Sequence, residues 1–366
     1  MSGSSQLQYI NVLRGIAILG VLLVHCSLYG TNEFYPEGVR FLFANGARGV
    51  QLFFMVSAFT LFLSMEKRSH TEAFPVASFF IRRLFRIAPM YYLGIVYYLW
   101  QDGLGARYWL GDATEITFGN ILANIVFLHG LNPYWITSLV PGGWSIAVEM
   151  MFYCVLPFLF KRITSATSAF ITLYLFILLR LVLDLLLSNA PMITDGQLWE
   201  AYLFLYFPSQ LPVFAMGVVL FFVVKKGFSA EVLKGIVGLF ILMLIGYLFD
   251  LKLFPSHLLF GLLFVLLGYL FSKCRCDSIF LKWLGFIGRI SYSLYLTHFA
   301  VLHWMTEFGF VDFISVSNVQ TSLINFGMRF SILLIASIPI SFLFYHFIEA
   351  PMIYIGKKVI NRLQKR

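Results

Sequence analysis

Residues 9–30 read YINVLRGIAILGVLLVHCSLYG, an apolar run that carries Arg14 and His25 with ten residues between them. The run is long enough to cross a hydrocarbon core of about 30 Å as one helix. Ionisable side chains inside such a helix face protein or a water-filled cavity rather than lipid, and they mark functional positions. Eleven helical steps advance about 1,100° and rise roughly 16 Å, so the guanidinium and the imidazole share one helix face near opposite membrane boundaries. The run is too long for a signal peptide and lacks a small-residue cleavage site, so it reads as a retained span.

The flanking sequence has the same character. The 366 residues are 60% hydrophobic and 18% aromatic but only 12% charged, with a mean hydropathy of +0.85. A soluble fold cannot hide that much apolar surface. The pattern predicts an all-α, polytopic integral membrane bundle of about ten transmembrane helices, at about 10–30, 49–65, 87–101, 143–160, 166–188, 207–224, 235–250, 256–272, 290–308 and 323–347. A single membrane domain is expected over residues 1–366, with no soluble domain of useful size before or after it. The net charge of +9 would suit nucleic acid, but the Lys and Arg residues cluster between spans, as at cytoplasmic rims facing anionic lipid. Membrane lipid is therefore the expected partner and nucleic acid is not. Cys26 and Cys154 lie in apolar segments, and Cys274 and Cys276 form a lone C-x-C. That gives neither a disulfide framework nor a metal site.

Charge decides the topology. The stretch 119–141, GNILANIVFLHGLNPYWITSLVP, is long enough to suggest an eleventh span, but its Asn, Gly and Pro residues weaken it. If it does not cross and the N-terminus is cytoplasmic, the later basic residues outside spans lie inside, from Lys161 and Arg162 through Arg275 to Lys365 and Arg366, with Lys252 the exception. An eleventh span would put them outside, against the positive-inside rule. The segment 119–141 is therefore read as re-entrant or superficial on the outer side, and both termini as cytoplasmic. No internal repeat is visible, so an inverted-repeat transporter gains no support.

Depth then groups the unusual residues. His25 and Glu149 both fall in the outer third of their spans and can meet. A carboxylate that holds an imidazole's tautomer and stabilises its cation makes it a good general base. A buried pair that only joins two helices fits the same residues. At the inner side, FFIRRLFRIAPMYYL brings Arg82, Arg83 and Arg86 within about one helical turn, at the same depth as Arg14. Guanidinium forks suit phosphates, although basic residues at an inner rim need no explanation beyond topology. Arg180 and Asp184, spaced i, i+4, read as a mutually neutralising pair. His298 lies mid-span and is a second-tier candidate, with packing through a hydrogen bond as the other reading. His129, His303 and His346 read as interfacial.

Six segments taken in order, LRGIAILGVLLVH (13–25), GVQLFFMVSAFTL (49–61), RRLFRIAPMYY (82–92), GGWSIAVEMMFYCVLP (142–157), ISYSLYLTH (290–298) and FIEAP (347–351), resemble the membrane acyltransferase 3 family, whose members O-acylate envelope polysaccharides and other carbohydrates. The resemblance runs over residues 9–354. It implies that Arg14 and His25 are the family's Arg, ten residues, His signature, and that Arg82, Arg83 and Arg86 form its basic loop associated with acyl-CoA. It also matches Trp144, Ser145 and Glu149 to a Trp-Ser-x-x-x-Glu element and places Ser57, Tyr292, Ser293, His298 and Glu349 in further motifs. The chain departs from the pattern where Asn11 and Val12 replace an Asp-Gly, Ala58 replaces a Gly and Met150 replaces a second acid. Glu349 could then serve Arg14 as its carboxylate. No SGNH-type soluble domain is expected after the last span.

The resemblance implies an O-acyltransferase of the bacterial inner membrane that moves acetyl from cytoplasmic acetyl-CoA to a hydroxyl of an envelope polysaccharide or glycolipid such as O-antigen or lipopolysaccharide. Acyl-CoA is a donor substrate, with no bound cofactor and no metal expected. The Arg residues would hold the CoA phosphates while His25, supported by Glu149, acts as base or first takes the acyl group. An extended CoA arm on the order of 15 Å or more is comparable to the rise between Arg14 and His25. A larger acyl group such as succinyl remains an alternative. Outside the enzymes, a transporter or flippase of a glycolipid would also use buried Arg, His and Glu.

Overall fold

A computed structural model describes residues 5–106, 110–274 and 276–365; Arg275 and Arg366, counted above among the inner-rim basics, lie outside them. The described residues are helical, without strands. In hydrocarbon each peptide group has to be paired within its own segment, so long apolar runs become helices. Short polar residues start them. Ser165 accepts from the Ser168 backbone while Ser168 returns the bond, closing a capping box at the start of α7 (Ala166–Asn189), and Asn318 with Thr321 does the same for α14 (Val319–Phe344).

All ten expected spans are helical, and eight helical stretches are long and apolar enough to cross a membrane. The two that fall short have evident reasons. The segment 87–101 belongs to α4 (Pro75–Asp102), a 28-residue helix whose early turns carry Arg82, Arg83 and Arg86. The segment 290–308 forms α13 (Ser291–Glu307), only 17 residues long. The stretch 119–141 is not a continuous helix. It holds α5 (Phe118–Ile125), eight residues or roughly 12 Å, then Phe127 at φ +61° and a single 3-10 turn, His129–Leu131.

Packing groups the chain into two compact units, which share α4 and also α3 (Gly49–Arg68). One comprises residues up to Phe53, Phe85–Met90 and Lys273–Gly356; the other comprises Phe54–Leu84, Tyr91–Ser272 and the residues from Lys357. The first unit is built around α1 (Ser5–Ser27), whose Val12, Leu13, Ala17, Ile18, Val21 and Leu22 are buried. Helix α12 (Ile279–Arg289) lies against α1 at backbone distance. A Cβ on Gly288 would stand 1.8 Å from the Asn11 carbonyl oxygen, and one on Gly15 would stand 2.2 Å from that of Leu284. Small residues of this kind let membrane helices approach closely enough for van der Waals contact to hold them.

The second unit centres on α9 (Phe207–Lys226), buried continuously from Ser209 to Val223. Phe214 stacks between Phe54 at 4.6 Å and Phe152 at 4.0 Å, the latter on α6 (Gly143–Arg162). Helix α9 crosses α3 closely beside Ala58: a Cβ on Gly217 would lie 2.2 Å from the Met55 carbonyl oxygen and 2.8 Å from the Ala58 methyl. Helices α10 (Ala230–Leu248) and α11 (Ser256–Lys273) present Ile236, Phe240, Leu244, Leu263 and Leu270 outward, as lipid-facing helices do.

Candidate functional site

In the first unit, the helical period sets Arg14 and His25 on one face of α1. His25 Nδ1 lies 3.0 Å from His298 Nε2, with the rings stacked at 5.1 Å and 25°. His298, fully buried on α13, places its Nδ1 3.1 Å from the Leu294 carbonyl oxygen. A carbonyl only accepts, so His298 Nδ1 carries the proton, and for a neutral ring its Nε2 is the acceptor. His25 Nδ1–H therefore donates to it, and His25 Nε2 keeps its lone pair. The chain of bonds fixes a tautomer and leaves one basic nitrogen. Sequence reasoning expected a carboxylate here; the observed partner of His25 is a second imidazole.

Eleven residues earlier on α1, Arg14 lies within electrostatic reach of Glu349, as does Arg86. Glu349 is buried and accepts a hydrogen bond from Ser293 Oγ through Oε2 at 3.0 Å. It sits at the end of a π-helical turn, Tyr345–Glu349, which joins α14 to α15 (Ala350–Leu363). Glu349 is thus a carboxylate within electrostatic reach of both Arg86 and Arg14. Tyr292 OH donates to the Ile87 carbonyl at 2.7 Å and ties α13 to the Arg86 turn of α4.

In the second unit, Glu149 Oε1 accepts from Ser57 Oγ at 2.6 Å and from Tyr153 OH at 2.5 Å. The guanidinium of Arg83 stands over the Tyr153 ring, 5.9 Å from its centre. Arg82 forms a fork with Glu72, at 2.8 and 3.0 Å. Trp144 meets Phe54 edge to face at 5.9 Å, and Ser145 Oγ donates to the Gly142 carbonyl at 2.9 Å, closing the first turn of α6. Trp144 and Ser145 therefore shape the helix that presents Glu149.

Among the other polar residues, Arg180 and Asp184 pair at 3.1 Å as expected, with a further bond from Arg180 to the Lys252 carbonyl. His129, read above as interfacial, is enclosed by protein. It is 1% exposed, and its Nε2 lies 3.0 Å from the Gly143 carbonyl oxygen and 3.1 Å from Tyr91 OH, which itself donates to Asn124. Burial pushes this imidazole down to about 4. Arg329 is fully buried and binds the Cys26 and Val311 carbonyls, Asp312 and Tyr35 OH. It anchors the end of α1 just beyond His25. Among the described residues no group of three or more His, Cys, Asp or Glu side chains could hold a metal ion.

Comparison with known proteins bears on this arrangement. The profile of the acyltransferase 3 family, described as an acyltransferase domain, matches residues 7–346. The exopolysaccharide production protein ExoZ of Rhizobium meliloti (strain 1021) is 28% identical over 274 residues, covering 70% of this chain and 76% of the relative. A Staphylococcus aureus (strain COL) protein that carries the provisional name O-acetyltransferase is 25% identical over 386 residues, covering 95% of this chain, and its MSSA476 counterpart matches to the same extent. The chain spans 58% of the length of these two staphylococcal relatives. No solved structure matches.

Proposed function

The chain belongs to the acyltransferase 3 family, and we propose that it is an integral membrane O-acyltransferase moving acetyl from acetyl-CoA to a hydroxyl of an envelope polysaccharide or glycolipid such as lipopolysaccharide. The observation that carries this reading is a single helix bearing a basic imidazole nitrogen, His25 Nε2, eleven residues after an arginine within electrostatic reach of a buried carboxylate. The name of the rhizobial relative supports a polysaccharide as acceptor, and the staphylococcal names support acetyl as the group moved.

In the proposed reaction the acceptor hydroxyl gives its proton to His25 Nε2 as its oxygen attacks the thioester carbon. The carbon–sulfur bond breaks, and the imidazolium returns the proton to the CoA thiolate, leaving an acetyl ester and free CoA. His298 acts through His25 as a positioning residue. Glu149, a carboxylate held by the Ser57 and Tyr153 hydroxyls, is the second catalytic group of this reading. Arg14, Arg82, Arg83 and Arg86 bind the CoA phosphates from the cytoplasmic side of the bacterial inner membrane, with both chain termini on that side.

The test is mass spectrometry of envelope glycans from cells with and without this protein. A mass increment of one acetyl group that depends on the protein is expected, and a succinyl increment would change the donor. Identical glycans in the two strains would overturn the reading.

A further inference from the structure

The turn between α3 and α4 holds a basic cavity of which the reading above uses only Arg82. In the second unit, the end of α3, the start of α4 and the end of α6 enclose about 210 Å3, lined by Arg68, Ser69, Arg82, Pro157, Phe160 and Lys161 among others. A basic rim accounts for cations at these positions, but not for their convergence on one concavity with walls of proline and phenylalanine. Arg68 lies within electrostatic reach of both Arg82 and Glu72. Arg68, Arg82 and Lys161 set against Glu72 leave an excess of two positive charges, and like charges held this close repel unless an anion joins them.

The pairing within the cavity separates the roles of its arginines. Both terminal nitrogens of Arg82 are engaged by the Glu72 carboxylate, so Arg82 is a fixed wall whose orientation Glu72 sets. Arg68 and Lys161 are left as the donors facing the space. A phosphate monoester, with a charge of about −1.5 to −2 at neutral pH and three acceptor oxygens, complements that excess. A carboxylate or a phosphodiester carries only one charge.

We propose that this cavity binds a phosphate monoester and, resting on the acyl-CoA reading above, that the monoester is the ribose 3′-phosphate of the donor CoA. Phe160 and Pro157 then flank the nucleoside end, and the thioester lies at the far end of the molecule. The donor would be held at its tail by Arg68 and Lys161, two residues outside the arginine loop.

Calorimetry on the purified full chain with CoA and with 3′-dephospho-CoA reads this contact directly. The wild-type protein should bind CoA roughly tenfold to hundredfold more tightly than dephospho-CoA, the range of one or two charge-assisted contacts. Arg68→Ala and Lys161→Gln should collapse that ratio toward one while leaving dephospho-CoA affinity unchanged, and Arg68→Lys should restore part of it. Both side chains are surface-exposed, and unchanged melting of each variant checks the fold. CoA binding with the same discrimination in the variants as in the wild type would overturn the proposal and leave the acyl-CoA reading intact. Absence of binding by both nucleotides would overturn that reading instead. Inorganic phosphate and nanodiscs containing phosphatidic acid then decide the cavity: binding of either that is lost in the variants supports a monoester site for free phosphate or a lipid headgroup, and binding of neither overturns it.

Discussion

His25 and Glu149 are prepared in opposite ways. His25 is held by another nitrogen base through a chain of bonds that ends on the Leu294 carbonyl, and what remains is a lone pair. Glu149 is held by two hydroxyl donors, Ser57 and Tyr153, which meet on one carboxylate oxygen. One unit of the molecule thus orients an imidazole and the other a carboxylate. In hydrocarbon surroundings, where neither orientation is maintained by water, each has to be specified by its neighbours.

The sharpest way to break the contrast is to remove the base. His25→Ala should lower acetyl transfer by about 10²- to 10⁴-fold, the range of positioned proton transfer, while CoA affinity measured by calorimetry stays near that of the wild type. Near-normal transfer by a well-inserted His25→Ala protein would end the catalytic assignment. Glu149→Gln comes next, with a loss of roughly tenfold to hundredfold. Tyr153→Phe, which leaves Ser57 as a donor, should cost less. If both variants transfer at the wild-type rate, the carboxylate is structural.

His298 sharpens the comparison because its role is indirect. His298→Leu should reduce kcat by about tenfold or more, as loss of a partner that fixes an imidazole's tautomer does elsewhere, with KM for acetyl-CoA unchanged. His298→Asn, whose amide oxygen can accept from His25 Nδ1–H, should recover part of the loss. A purely packing role predicts no such recovery and moves kcat and KM together.

The smallest effect concerns the other buried imidazole. His129 in the folded protein titrates at about 4 against an ordinary 6.5, so protonation favours the unfolded segment. Its stabilising contribution is complete above about 6.5 and falls as pH drops from there toward 4. Hydrogen exchange corrected for intrinsic rates should show residues 118–131 losing protection between pH 7 and pH 5, and His129→Gln should abolish that pH dependence. Equal pH dependence in the variant would assign it to another group.

Much of the fold was legible in the apolar runs, since lipid leaves a long apolar segment little alternative to a helix, and all ten anticipated segments are helical. What the runs concealed was fusion and pairing. Residues 87–101 looked like an isolated span because Arg82, Arg83 and Arg86 interrupt the hydropathy, yet one helix carries arginines and span together from Pro75 to Asp102. Those arginines read as one cluster, but Arg86 faces Glu349 while Arg82 faces Glu72. Depth alone suggested Glu149 for His25. The observed partner, His298, lies 273 residues away in the chain, beyond anything periodicity encodes. The Arg329–Asp312 pair at 3.2 Å joins residues 17 apart in the chain, a spacing that no helical period encodes.

The glycine contacts of α1 turn that helix into a ruler. Gly15 and Gly288 bring α12 onto one part of its backbone, while a Cβ on Gly46 would meet the Gly20 carbonyl oxygen at 2.4 Å and one on Gly49 that of Ala17 at 2.2 Å. The helix itself fixes the distance from Arg14 to His25, roughly 16 Å along the axis, and a rod gripped this way by neighbouring backbones has little room to slide or rotate against them. On the function proposed above, a donor held at the Arg14 end would span that distance with its own arm. Donor choice then becomes a matter of length as well as chemistry: thioesters of short thiols should be poor donors even when their acyl group is the right one.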